Sequence, residues 1–229
     1  MNEPYIPFLS TGSYPVRAGN RVRPLVDGEA LFRRVCEAIE TARHSVWLTA
    51  AFFAEVQMPD GHGTALDVLD RAAARGLDVR LIIWRPNAEN GPVDNTFPGT
   101  AANHEFLRQR GSRFKARWDR APGRYCQHQK SWVFDAGHPT ETSFVGGMNL
   151  TTKGLGWRGH AGGIGRHDIY LEVTGPAATD VHHNFVQRWN EASERREADG
   201  LWGHSGDEML PFPARLSPEH GSEIGRAHV

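Results

Sequence analysis

The order of apolar segments along the chain constrains its fold more than any other feature. Two apolar runs of strand length, residues 45–54 and 77–84, flank a segment at 64–75 whose apolar residues recur at helical spacing. A short strand at Arg21–Val26 and a helix over 27–43 precede them. Alternating strands and helices predict an α/β layered fold with a largely buried sheet.

The second half of the chain continues this alternation. It predicts helices at 100–110 and 176–195 and strands at 112–118, 128–134, 143–148 and 167–173. We expect an N-terminal arm over 1–20, one domain over 21–197, and a linker or truncated tail over 198–229. A chain of 229 residues that is 39% hydrophobic can bury a core without disulfides, and Cys36 and Cys126 form no disulfide framework.

Charge and hydropathy narrow the class of protein. Lys and Arg number 26 and Asp and Glu number 27, so the net charge of −1 argues against a binder that holds nucleic acid by a basic tail. No apolar run reaches the roughly 18 residues of a membrane span. The N-terminus lacks a basic segment followed by an apolar stretch, so we expect a cytoplasmic protein.

The residues that carry chemistry lie on a predicted hairpin. Side chains two apart share one face of a strand, so His128 and Lys130 project together. If the turn is centred between residues 138 and 139, His128 lies across from Asn149 and Lys130 across from Gly147. An imidazole, an ammonium and a carboxamide, with a glycine that leaves room, predict a phosphate site.

Asp135 is expected to face away from this site. It follows His128 by seven residues, an odd offset that places the two side chains on opposite faces of the strand. We therefore expect Asp135 to pin the strand end or the turn.

The pattern H-x-K-x-x-x-x-D over 128–135, followed by G-G-x-N over 146–149, resembles the phospholipase D superfamily and its HKD motif. The resemblance runs over about residues 21–195. It implies an α-β-α sandwich with a mixed sheet and a phosphodiester exchange in two steps, without a metal or cofactor. One His attacks phosphorus to form a phosphohistidine, and the His of a second motif protonates the leaving alcohol.

The resemblance also implies roles for individual residues. His128 would be the nucleophile, and Lys130 and Asn149 would bind the phosphate oxygens beside Gly147. Asp135 completes the catalytic motif. Asp168, on the following strand, would orient His128, since a carboxylate fixes the tautomer of an imidazole. The adjacent His167 is more simply a neighbour of the site.

Two further segments allow a structural or a functional interpretation. Six glycines between residues 154 and 165 predict either a gating loop or a plain surface excursion. Residues 108–124 hold seven Lys and Arg against one acid, and on the strand basic residues alternate with apolar ones. This predicts one cationic face that attracts anionic headgroups or nucleic acid, or a solvated face balanced by acids elsewhere.

The superfamily chemistry needs two HKD motifs, and this sequence holds one. A homodimer, or a second half of a longer enzyme, would supply the other, and we favour the second. We expect a phosphodiesterase of phospholipase D type that hydrolyses or transphosphatidylates phospholipids, in the cytoplasm or peripheral to a membrane. Its partner would be the headgroup phosphate of a phospholipid, with nucleic acid less favoured. The alternatives are a cardiolipin synthase-like phosphatidyltransferase, which usually carries membrane spans, a metal-independent endonuclease, and a basic phosphate-binding module without turnover.

Overall fold

The structure of the protein, a computed structural model, describes residues 14–90, 97–155, 166–193 and 208–220. Its strands are β1 (Arg21–Val26), β2 (Ser45–Ala50), β3 (Asp78–Trp84), β4 (Lys115–Asp119), β5 (Ser131–Phe134), β6 (Thr142–Gly146) and β7 (Ile169–Thr174). Its α-helices are α1 (Asp27–Thr41), α2 (Ala65–Ala74), α3 (Ala101–Arg110) and α4 (Pro176–Glu191).

The described strands form one mixed sheet in the order β1-β7-β6-β5-β2-β3-β4. Strands β2, β3 and β4 are parallel, and β5, β6, β7 and β1 continue the sheet by antiparallel pairing. Helices α1 and α2 bury their apolar stripes on one face, and α4 covers the other through Phe185, Val186 and Trp189. The predicted α-β-α sandwich with a mixed sheet is therefore confirmed.

Local capping explains where two of the helices begin. The Thr64 hydroxyl accepts the Asp67 N–H at 3.2 Å, and the Asp67 carboxylate accepts the Thr64 N–H at 2.7 Å. Thr100 and Asn103 make the same reciprocal pair at the start of α3. Each pair satisfies backbone N–H groups that have no partner within the helix, so both helices begin where the sequence predicts.

The hairpin register differs from the prediction by one residue. Ser131 pairs with Val145, and the Lys130 carbonyl accepts the Gly146 N–H at 3.4 Å, so Lys130 lies across from Gly146 and not from Gly147. The turn is centred on residue 138, because the His138 N–H bonds the Asp135 carbonyl at 3.0 Å and the Glu141 N–H bonds the His138 carbonyl at 2.9 Å. These two successive turns shift every pair along the hairpin.

The basic strand does not present the predicted cationic face. Arg117 is fully buried, its guanidinium lies 4.2 Å over the Trp189 ring, and it donates to the Trp189 carbonyl at 2.6 Å. Lys115 pairs with Glu208 at 2.5 Å. Both faces of β4 are thus covered, because α4 and the segment after it pack on the side expected to meet solvent.

Residues near both ends of the described chain pack onto α4. Arg17 makes a two-pronged ion pair with Asp180, with a shortest distance of 2.9 Å. The Asn190 side chain exchanges hydrogen bonds of 2.8 and 2.9 Å with the backbone of Leu210, which is buried. Residues 208–220 therefore belong to the packed domain, while 198–207 and 221–229 of the expected tail lie outside the described residues.

Two of the segments discussed from the sequence lie wholly or mostly outside the described residues. Most of the glycine-rich loop, residues 156–165, lies outside the described residues, as does 1–13 of the expected arm. Within the described ranges, no helix combines the length and the apolar character needed to cross a membrane.

Candidate active site

The candidate residues gather at one edge of the sheet. Because β2 and β6 run in one direction and β5 and β7 in the other, the carboxyl ends of the first two meet the amino ends of the second two. Phe52 follows β2, Gly147 and Asn149 follow β6, Lys130 precedes β5 and Asp168 precedes β7. Ligand sites of α/β sheets commonly lie beyond such strand ends.

A cavity of about 170 Å³ opens at this edge. It is lined by Phe52, Gly147, Met148, Asn149, Thr151, Lys153, Gly154, Arg166 and Asp168. Its volume is below the range of about 300 Å³ and more that is usual for drug-sized ligands, so it suits a group of the size of a phosphate better than a larger ligand.

His128 lies beside this cavity, next to one of its walls. Its ring meets the Phe52 ring edge-on, with the centroids 6.0 Å apart, and the residue is exposed to solvent. Desolvation of the ring, and then the nearby charge of Lys130, lower the pKa of His128 below 6.5. The imidazole is therefore mainly neutral at pH 7, the form in which a ring nitrogen can attack.

Lys130 is buried, and its ammonium donates a hydrogen bond of 2.8 Å to the backbone carbonyl of His128. Burial lowers the pKa of Lys130 to about 8, against opposing contributions from Cys126 and Asp168. The residue thus keeps most of its positive charge at pH 7 in a desolvated position, where a charge acts more strongly than in water.

The side chain of Asn149 has a fixed orientation. Its Oδ1 accepts the Phe52 N–H at 3.2 Å, so its NH₂ group is directed away from that bond and remains a donor. Gly154 packs against the Asn149 carbonyl so closely that a Cβ there would lie 2.1 Å from it. The amide that lines the cavity is thereby held in one place.

Asp168 and Gly147 lie next to each other in the lining of the cavity. A Cβ at position 147 would lie 2.5 Å from an Asp168 carboxylate oxygen, so the glycine leaves the space that the carboxylate fills. Within the described part of the chain, the Asp168 carboxylate accepts the Ile169 N–H at 2.8 Å and makes no hydrogen bond to His128. The predicted bond that would orient His128 is absent from this arrangement, although both residues lie at the same edge.

Asp135 lies at the far end of β5 from His128. Its Oδ1 accepts the N–H groups of Arg43 at 2.9 Å and His44 at 2.8 Å, and its Oδ2 accepts the Thr140 hydroxyl at 2.8 Å. Burial raises the pKa of Asp135, but these hydrogen bonds together lower it further, so the pKa is below its usual value. These contacts fix the start of β2 and the hairpin turn, as its position on the strand predicts.

Several residues of the edge were not singled out from the sequence. Phe52 lies within the apolar run 45–54, which by itself indicates a buried strand rather than a site. Lys153 and Arg166 border the glycine-rich loop, and basic residues at both ends of such a loop are a signal that could have been used. Asp27 follows β1 and contacts residues 167 and 168.

Comparisons with known proteins agree with this fold. A family described as "Cardiolipin synthase, PLD-like domain" matches residues 35–189. Cardiolipin synthase A of Pseudomonas putida (strain W619) is 29% identical over 190 residues, which cover 80% of this chain and 36% of that protein. Phospholipase D B of Dictyostelium discoideum is 24% identical and covers 77% of this chain and 18% of that protein.

One solved structure shows the same fold. NucT from Helicobacter pylori superposes with a TM-score of 0.50 at 13% identity, covering 76% of this chain and 98% of NucT. The chain spans about a third of the length of the curated cardiolipin synthases that it matches, 36% for the relative given above.

Proposed function

Since the chain belongs to the phospholipase D superfamily, in the family of the cardiolipin synthase PLD-like domain, we propose that it transfers the phosphatidyl group of a phospholipid through a phosphohistidine. The superfamily comprises phosphodiesterases that act on phospholipids or nucleic acids. The observation that carries the proposal is the convergence of a mainly neutral His128, a buried Lys130 and an oriented Asn149 amide at one sheet edge.

In the first step, a ring nitrogen of His128 attacks phosphorus. A P–N bond forms as the P–O bond to the leaving alcohol breaks, and the departing oxygen takes a proton from an acid outside this constellation. Lys130 and the NH₂ group of Asn149 bind the non-bridging oxygens, whose negative charge is concentrated in the transition state. The second HKD unit of the superfamily mechanism is the source of the acid.

In the second step, an alcohol or water attacks the phosphohistidine. The P–N bond breaks, the new P–O bond forms, and the attacking oxygen gives its proton to the group that served as acid. An alcohol acceptor gives a new phospholipid, and water gives phosphatidic acid. The identities to cardiolipin synthases favour an alcohol as the acceptor, while hydrolysis in the manner of phospholipase D is the alternative outcome.

The shape and charge of the edge support a phospholipid as substrate. The cavity has room for a phosphate group, and Lys153 and Arg166 on its lining favour an anionic group. A phospholipid whose acyl chains stay outside the cavity would reach the cavity from a membrane surface. We therefore propose that the protein acts as a peripheral protein at that surface. Arg117 donates to the Trp189 carbonyl and Lys115 pairs with Glu208, so neither cation is presented on an open basic face that would favour nucleic acid.

The second HKD unit is proposed to come from a second copy of this chain or from a further half that the relatives' length would accommodate. Light scattering after size exclusion, together with an assay of each fraction, separates these cases. An active dimer supports a site completed by two copies. An inactive monomer that gains activity when mixed with the second half of a relative supports the other arrangement.

The test of the proposed function uses phosphatidylglycerol vesicles in EDTA, with products separated by chromatography. We expect cardiolipin and glycerol from transfer, and phosphatidic acid if water is the acceptor. His128→Ala should abolish the reaction, whereas the matched control His138→Ala, on an exposed histidine at the hairpin turn, should leave it unchanged. An unaffected His128→Ala variant, or plasmid nicking without any lipid product, would overturn the proposal.

A further inference from the structure

The junction between β1 and α1 touches two walls of the cavity. Asp27, the first residue of α1, contacts residues 167 and 168 at the amino end of β7. The next residue, Gly28, packs so closely on the Gly154 carbonyl that a Cβ would lie 1.9 Å from it. Asp168 and Gly154 both line the cavity, so the junction packs against two of the residues that form its lining.

The backbone of Asp27 adopts a conformation that is costly for a residue other than glycine. Its φ is 63°, in the left-handed region, which asparagine and aspartate tolerate better than other residues. A conformation of this kind persists when surrounding contacts determine it, and such residues cluster at functional sites. Contacts to residues 167 and 168 contribute to holding it here.

Asp27 contacts residues 167 and 168 through both its backbone and its side chain. Its N–H donates to the Asp168 carbonyl at 3.0 Å, and its Oδ1 accepts the Asp168 N–H in a long bond of 3.4 Å. The same oxygen lies 3.0 Å from Nδ1 of His167, and the Asp27 side chain is only 15% exposed. Both backbone polar groups of Asp168 are therefore held by one residue.

The position of the Asp168 carboxylate depends on that backbone. Gly147 closes one side of it, and the Ile169 N–H fixes one of its oxygens. If the backbone of residue 168 shifts, the carboxylate moves relative to Lys130, whose pKa its charge raises. Misplacement of a group by about 1 Å can cost roughly 100-fold in rate.

We propose that Asp27 is a positioning residue that holds the Asp168 carboxylate at the cavity. The catalytic consequence rests on the proposed function, in which Asp168 serves the reacting groups. The structural consequence does not, because the contacts of Asp27 with residues 167 and 168 are made within the protein itself.

Two substitutions separate the side chain from the backbone conformation. Asp27→Gly and Asp27→Asn both accept the left-handed backbone, but only asparagine keeps an oxygen that can accept from residues 167 and 168. We expect Asp27→Gly to lower kcat about 10- to 100-fold with KM changed less than about threefold, and Asp27→Asn to restore most of kcat. Asp60→Gly is the matched control, since Asp60 also has a left-handed φ, of 58°, and its exposed carboxylate pairs with Arg33.

A second measurement needs no turnover. Amide hydrogen exchange at Asp168 and Ile169 should accelerate in Asp27→Gly and stay near the wild-type rate in Asp27→Asn and Asp60→Gly. Unchanged exchange in Asp27→Gly, or equal kcat in the glycine and asparagine variants, would overturn the positioning role. A wild-type protein that turns over no lipid either alone or mixed with the second half of a relative, but whose exchange still responds in this way, would instead refute the proposed function and leave the role of Asp27 standing.

Discussion

The ammonium of Lys130 donates a hydrogen bond of 2.8 Å to the backbone carbonyl of His128, so the two residues of the motif are joined through the main chain. The lysine therefore helps to fix the backbone at the nucleophile. Its remaining N–H bonds are available to bind a phosphate oxygen, because an ammonium has three donors. One cation thus links the position of the nucleophile to the charge that attracts the substrate.

The pH dependence of kcat/KM should be bell-shaped. His128 must be neutral to attack, and its pKa lies below 6.5, so activity rises with pH over the acidic limb. Lys130 must be charged to bind phosphate, and its pKa is about 8, so activity falls as pH rises through that value. Rates with a soluble phosphodiester between pH 5 and pH 10 would measure both limbs. A rate that stays level to pH 10 would contradict the assignment of the alkaline limb to Lys130.

Asn149→Asp should abolish most of the activity without unfolding the protein. The new carboxylate can still accept the Phe52 N–H, but it replaces an NH₂ donor by a negative charge facing the phosphate. The loss of one such donor costs about 100- to 1,000-fold in kcat, and repulsion adds to it. Steady-state kinetics measure the loss, and urea unfolding serves as the control. Wild-type activity in this variant would mean that Asn149 does not bind the substrate phosphate.

Gly147→Ala and Asp168→Asn should not be additive. A Cβ at position 147 would lie 2.5 Å from the Asp168 carboxylate, so the alanine displaces the same group that the second substitution neutralises. Each single variant should lose about tenfold or more in kcat, and the kcat of the double variant should be little lower than that of the less active single variant. Full multiplication of the two losses would show that the two residues act independently.

The fold was predictable because local and tertiary preferences agree. The capping threonines Thr64 and Thr100 stand at the predicted helix starts, and the apolar runs fill β2 and β3 on both faces. The sheet edge that holds the candidate site follows from this order, since one set of strand ends brings residues 128, 130, 149 and 168 together. Residues 149 and 168 are far from residue 128 in sequence, but the strand order places all of them at the same edge.

The register of the hairpin was not predictable from its residue types. A turn centred between residues 138 and 139 and one centred on residue 138 both fit the sequence around His138-Pro139. What decides between them is the left-handed backbone of Asp135, with a φ of 51°, and the hydrogen bonds of its carboxylate to Arg43 and His44. Those partners lie about 90 residues earlier in the chain.

The surroundings of the basic strand, for which the sequence left two alternatives open, were not predictable for a related reason. Alternation of basic and apolar residues is the same for a solvated strand and for one whose cations are buried against partners. Arg117 is buried because Trp189 and Glu208 cover it, and both lie far along the sequence. Only tertiary packing distinguishes the two cases.

Asp135 should contribute more to stability than to chemistry. In Asp135→Ala, the N–H groups of Arg43 and His44 and the Thr140 hydroxyl lose their acceptor, and the left-handed backbone becomes strained. We expect a loss of about 3 kcal/mol in the free energy of unfolding, measured in urea at pH 7. Asp60→Ala, at another left-handed position with an exposed carboxylate, should lose about 1 kcal/mol.

The effect should also depend on pH in one direction. Because the pKa of Asp135 is lower in the folded protein than the value of about 3.9 expected when unfolded, its stabilisation is present above that value and disappears as pH falls through the folded pKa. The difference between the wild type and Asp135→Asn should therefore shrink as pH falls below about 4. Only the ionised form of Asp135 accepts all of these hydrogen bonds. A difference that stays constant from pH 7 to pH 3 would therefore show that the charge of Asp135 does not carry the effect.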